Sequence, residues 1–139
     1  MYRRGLAKAL GLVALTVLLA ACTGYTETGS STSSHQGMAG GDETVQISKA
    51  NGTSEKSIEL EADDGLLMEV DVTLAVGKGS YKIELLDDNG EATMTLEAHD
   101  GQTVTGHGQM VTDAFGEASY RVTAVEAENV AYVLEYTFQ

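Results

Sequence analysis

Proline and tryptophan are missing from the 139 residues, cysteine occurs once, and basic side chains are scarce, with eight Lys and Arg against 21 Asp and Glu. Each shortage excludes something. With no proline, turns must be made by Asn, Asp and Gly, which supply local hydrogen bonds or positive φ. A lone cysteine cannot staple the chain internally, and in an exported protein it implies a reactive thiol or an intermolecular bond. The charge imbalance, −13 overall, excludes a surface that holds nucleic acid phosphates.

What is present is unevenly distributed. Arg3, Arg4 and Lys8 open the chain, and Ala9 to Ala21 is apolar except for Gly11 and Thr16. That run is too short for an ordinary spanning helix and has the layout of an export signal. It ends in Leu19-Ala20-Ala21-Cys22, which contains the only cysteine. The stretch resembles the lipobox of bacterial lipoproteins. The resemblance implies cleavage between Ala21 and Cys22, a diacylglyceryl group on the Cys22 thiol, and a membrane-anchored, extracytoplasmic protein. Thr23 is not the Asp that resembles an inner-membrane retention signal, which favours the outer membrane where a cell has one. Two or three acyl chains would make the anchor stable. The alternative is an uncut N-terminal helix with Cys22 as a free thiol. Arg3-Arg4 also looks like a loose twin-arginine signal beside an ordinary secretory one. Past Cys22 only Lys49, Lys56, Lys78, Lys82 and Arg121 oppose all 21 acids, so the cut form carries −16.

Three regions follow: a signal peptide over 1–21, a lipidated cysteine with a Ser/Thr/Gly tether over 22–43, and a domain over 44–139. The tether has almost no apolar residues, and its composition predicts disorder with a span of roughly 25 Å. From Val45 onward the apolar period is two. Leu66, Met68, Val70, Val72 and Leu74 alternate with polar partners, as do Tyr81, Ile83 and Leu85, then Tyr120, Val122 and Ala124, then Tyr132, Leu134, Tyr136 and Phe138. That is the mark of antiparallel strands wet on one side. Asn89-Gly90 gives the best hairpin signal. The expected strands are 44–49, 56–62, 66–76, 79–86, 91–98, 102–112, 117–125 and 130–138, with no helix beyond the leader. Seven or eight short strands in about 96 residues predict an all-β, two-layer antiparallel sandwich, with a closed barrel as runner-up. The Leu85-x-Asp87-x-x-Gly90 turn and the later Gly116-x-x-x-Tyr120 are similar to small extracytoplasmic sandwiches such as pre-peptidase-like modules, which implies a binding or accessory role.

Chemistry-bearing residues are sparse. There is no Gly-x-Ser-x-Gly elbow, and His99 and His107 lack a serine in a strained turn, so the chain reads as a non-enzyme with no cofactor. His35-Gln36-Gly37-Met38 and His107-Gly108-Gln109-Met110 share a His-x-x-Met spacing whose donors suit copper(I). On a strand, however, an offset of three puts His107 and Met110 on opposite faces. Asp63-Asp64 and Asp87-Asp88-Asn89 could offer oxygens to calcium, but they lack a full Asp-x-Asp-x-Asp-Gly loop. Gly101 to Gly108 is poor in large side chains and reads as an edge strand or bulge, open to a partner strand. The functional expectation is a lipid-anchored binding or structural module at the cell envelope. Its partners would be the membrane through Cys22 and an envelope protein or glycan. The alternative is a copper- or calcium-handling lipoprotein.

Overall fold

The computed structural model describes residues 24–60 and 65–139. The leader, including Ala21 and Cys22, lies outside them, as does Asp63-Asp64. The described residues form seven strands: β1 (Thr26–Thr28), β2 (Ser31–Gln36), β3 (Gly40–Glu59), β4 (Leu67–Leu86), β5 (Ala92–His99), β6 (Thr103–Val111) and β7 (Glu117–Phe138). All pairings are antiparallel.

Three of these strands, β3, β4 and β7, are 20, 20 and 22 residues long. Each is bent once, and the bends lie side by side. The β3–β7 register slips between Ala50 and Gly52, and the β4–β7 register slips between Lys78 and Ser80. In β7 the non-glycine residues Glu126 and Asn129 adopt positive φ, 44° and 53°. Each slip changes which parity of residue faces inward. On β4 the buried residues run Met68, Val70, Val72, Leu74, Val76 and then Tyr81, Ile83, Leu85. An extra residue in one strand has this effect, and it sharpens the local bend. Gly79 allows it. Its φ is +75°, and a Cβ there would meet the Val125 and Glu126 carbonyl oxygens at 2.5 and 2.2 Å.

Aligned bends fold one sheet over on itself, giving a two-layer antiparallel β-sandwich. The front layer runs β2, β3 (40–48), β7 (130–138), β4 (67–76), β6. The back layer runs β3 (52–59), β7 (117–125), β4 (80–86), β5. Between them lies the core, with Val70, Leu74, Ile83, Leu85, Met110 and Leu134 all fully buried. Each such side chain contributes about 1.5–3 kcal/mol relative to exposure. The β5–β6 side is closed by close approach. A Cβ on Gly108 would lie 2.5 Å from Met94 Cβ, and Gly106 faces Leu96 and Met94 at 3.2–3.3 Å. The Thr93 hydroxyl donates to the Gln109 carbonyl. The glycines of 101–108 therefore mark an edge strand, but the space beside them holds Met94 and Leu96 of β5.

Two expectations are corrected. The breaks expected at 50–55, 77–78 and 126–129 are bends inside continuous strands. The tether expected over 22–43 is, from residue 26, largely strand: β1 pairs with β3 at 49–51 and β2 pairs at 41–46. The folded domain therefore begins before Thr44. β2 has no apolar side chain and every residue is exposed, so the backbone ladder to β3 holds it. β1 is held from within. The Tyr25 ring packs at the core margin, and Glu27 bonds Lys56 at 3.0 Å.

Candidate binding face

The front layer's register aligns five titratable side chains in one row. His35 lies opposite Asp42, Asp42 opposite Glu135, Glu135 opposite Asp71, and Asp71 opposite His107. Neighbouring strands sit about 4.8 Å apart, so the row crosses roughly 19 Å of sheet. All five point outward because their neighbours along each strand, among them Leu134, Tyr136, Val70 and Val72, point into the core. In the adjoining row Thr137, Glu69 and Gln109 are aligned. Two further rows are hydroxyl-rich, with Ser33, Thr44, Thr73 and Thr105 in one and Ser31 and Thr103 in the other. Among the described residues no Lys or Arg stands on this face. Asp42, Glu69, Asp71, Glu135 and Thr137 line a shallow depression of about 340 Å³.

The row is tied down at both ends. His107 Nδ1 lies 2.8 Å from Asp71 Oδ1, and its Nε2 lies 2.7 Å from Glu69 Oε2. Gln109 Nε2 donates to the other Glu69 oxygen at 2.8 Å. Hydrogen bonds to Asp71, then Glu69, raise the imidazole pKa above its ordinary value. At the opposite edge His35 Nδ1 lies 3.3 Å from Asp42. Between them Glu135 has no hydrogen bond or ion pair among the described residues.

The structure does not bring His107 and Met110 together. His107 is on the outer face, whereas Met110 is fully buried. This corrects the pairing as a metal site, and the reason is the two-residue period of β6. Met38, partner of His35 in the first His-x-x-Met, is fully exposed in the β2–β3 turn. Among the described residues no group of three or more His, Cys, Asp or Glu is arranged to hold a metal ion. The acidic turn at Asp87 uses its carboxylate locally, accepting from the Asn89 and Glu91 N–H groups at 2.9 Å each. Asp113 does the same for Phe115 and Glu117. Leu85 and Leu86 end β4 before the first of these turns, and Gly116 precedes β7, so the Leu-x-Asp-x-x-Gly stretch runs from a strand end into its turn and the Gly-x-x-x-Tyr stretch opens a strand.

A second polar constellation lies inside. Tyr81, Tyr120 and Tyr132 are fully buried, and Tyr81 and Tyr132 stack at 5.8 Å. Buried hydroxyls need partners. Tyr120 donates to Glu43 at 2.8 Å and sits 2.9 Å from the Tyr132 hydroxyl. Tyr25 donates to Glu27 at 2.5 Å and lies 3.4 Å from the Tyr81 hydroxyl. Burial pushes the phenol of Tyr81 up to about 12, and those of Tyr120 and Tyr132 further. Burial also acts to raise the Glu27 pKa, but hydrogen bonds from Tyr25 and Lys56 outweigh it and hold it below the usual range. Tyr25, Glu27 and Glu43 all come from the stretch whose composition resembles a tether. The tyrosines were legible as an apolar stripe, but their carboxylate partners were not, because acids in a Ser/Thr-rich stretch look like solvated surface.

The sequence matches no protein-family model and no curated protein. Among solved structures, similar chains include the carbohydrate-binding module CBM6cm-2 from Cellvibrio mixtus lichenase 5A in complex with cellotriose. It shares 12% identity over 81% of this chain and 88% of that chain, with a TM-score of 0.39. The CBM22-1 xylan-binding domain from Paenibacillus barcinonensis Xyn10C shares 16% identity over 83% and 85%, at 0.41. The Podospora anserina GH26-CBM35 β-(1,4)-mannanase shares 14% over 84% and 26%, at 0.44. At these values the likeness carries no functional conclusion.

Proposed function

We propose that the chain is a non-catalytic binding module of the bacterial cell envelope. Lipid on Cys22 anchors it, and it receives a cationic protein segment on its front face. The observation that carries the binding role is the row His35–Asp42–Glu135–Asp71–His107 on a face without Lys or Arg. Like charges on neighbouring strands repel, and Glu135 has an acid on each side. A Lys- or Arg-bearing segment laid across the row relieves that repulsion and is steered toward it. Anchoring rests on the Leu19-Ala20-Ala21-Cys22 stretch behind a basic, apolar leader. A non-catalytic role fits the two ring nitrogens of His107, both of which are engaged by carboxylates rather than by a nucleophile.

The hydroxyl rows beside the acids favour a second reading, a glycan laid along Ser33, Thr44, Thr73 and Thr105. Salt separates the two. A Lys/Arg-rich peptide should bind the domain at low ionic strength and be lost at about 0.5 M salt, where the Debye length falls below about 5 Å. Glu135→Lys should weaken that binding by about tenfold or more. Binding that ignores both salt and the substitution refutes the ionic reading. Salt-insensitive binding of envelope glycan would establish the second. Anchoring is tested separately. Cys22→Ser should leave an uncut, unlipidated precursor, and an unchanged lipid-labelled product would refute it.

A further inference from the structure

The two ends of the sandwich differ in charge and in what the chain does there. At the bend end Lys49 and Lys78 both lie in register with Glu128, at 3.9 Å in the case of Lys49. Glu126 and Asp100 are the other acids nearby, so this end is close to neutral. Val125, one of three exposed large hydrophobics among the described residues, is also here at 58% exposure. At the opposite end, the turns carry Asp87, Asp88, Glu91 and Asp113 with no Lys or Arg. Met38 and Phe115, the other two exposed large hydrophobics, sit in the turns at that far end.

The chain enters at the bend end. β1 pairs with residues 49–51, and the Gly24 carbonyl lies so close to Gly52 that a Cβ there would clash with it. Tyr25 is fixed by its bonds to Glu27 and Tyr81. Cys22 is two residues before Gly24, and two residues span at most about 7 Å.

Resting on the anchoring reading above, we infer that the bend end of the sandwich lies directly on the membrane surface, so that the domain stands upright on the leaflet. A link of about 7 Å cannot lift or invert a folded domain, whereas a 20-residue tether would span roughly 25 Å. Charge favours the same pose. An anionic leaflet repels the acidic far end and both sheet faces more than it repels the near-neutral bend end, where Lys49, Lys78 and Val125 meet headgroups. The front face then stands perpendicular to the membrane, open to a partner from the side, and Met38 and Phe115 point away from it.

The absence of tryptophan makes the test clean. Single-tryptophan variants of the lipidated chain, Thr28→Trp at the bend end and Asp88→Trp at the far end, are placed in phosphatidylcholine–phosphatidylglycerol vesicles bearing a headgroup spin label. Circular dichroism verifies that each keeps its fold. The Thr28→Trp emission should be quenched several-fold more than that of Asp88→Trp. A flexible insertion of about 20 Gly and Ser residues between Thr23 and Gly24 should erase most of that difference while leaving the chain on the vesicle. Equal quenching at the two positions with the natural link, or a difference that survives the insertion, overturns the inference. If chain recovered from cells carries no lipid on Cys22, the anchoring reading fails by itself. The orientation is then read after coupling the sole thiol to a maleimide phospholipid, with the same two outcomes.

Discussion

The two outer faces of the sandwich are built from the same three long strands, yet among the described residues only the back face sets basic side chains among its acids. On the back face, Arg121 lies opposite both Glu55 and Glu84 and reaches Glu84 at 3.6 Å, and Lys82 reaches the same Glu84 at 3.7 Å. Glu84 is thus paired twice, and Glu97 meets His99 at 3.1 Å, whereas Glu59 and Glu117 face each other in register. The front face has four carboxylates, no Lys or Arg, and two histidines at its edges. Burial cannot account for the difference, because both faces alternate with buried residues in the same way. On the back face Lys82 and Arg121 offset part of the charge, whereas the front face carries charge that only titration or an outside cation can neutralise.

Disturbing the packing that keeps the two faces apart should have the largest effect. Gly108→Val would force side-chain atoms into Met94 and Leu85, at 2.5 and 3.1 Å. A cost of about 1–3 kcal/mol is expected from such overpacking, read as a fall in melting temperature. Next comes charge on the faces themselves. Arg121→Glu would set three acids in a row across the back face, as Asp42, Glu135 and Asp71 stand on the front. It should destabilise by up to about 1 kcal/mol. Glu135→Lys, which gives the front face a pairing like that of Arg121, should be neutral or stabilising. Chemical denaturation of both variants checks the sign, and equal effects would erase the contrast.

How much of this was legible beforehand depends on what kind of signal each feature leaves. The alternation of Tyr81-Ile83-Leu85 and Tyr132-Leu134-Tyr136 marked the inward faces, and all six residues are buried. The phase change from Val76 to Tyr81 was visible too, but a turn and a bulge leave the same trace. Gly77-Lys78-Gly79 reads as a loop until the register with β7 is known. β2 left no trace, since backbone pairing to β3 holds it and its side chains are Ser, Thr, His and Gln, and β1 left none because Thr26, Glu27 and Thr28 look like solvated surface. The front row was hidden for another reason. His35, Asp42, Asp71, His107 and Glu135 span 101 sequence positions, and only the strand order β2-β3-β7-β4-β6 brings them together.

A smaller effect sharpens the contrast through pH. The Asp71 and Glu69 carboxylates hold the His107 pKa above its ordinary value. The paired, protonated form therefore stabilises the fold fully below about pH 6.5, the unfolded value, and the contribution is lost as pH rises through the raised folded value. Glu69, Asp71 and Gln109 are the groups that face the ring, with Glu135 one strand beyond. His107→Gln should lower the melting temperature at acidic pH and leave it nearly unchanged at alkaline pH. A deficit of the same size at both ends would show that His107 acts by packing alone.

The most direct test of a binding front face is a residue-resolved titration of the isotope-labelled domain with a Lys/Arg-rich peptide, followed by nuclear magnetic resonance. Shifts should cluster on outward residues of the front layer, among them His35, Asp42, Asp71, His107 and Glu135, and should vanish at about 0.5 M salt. Shifts centred on Glu55, Glu84 and Arg121 of the back face, or none on either face, would contradict it.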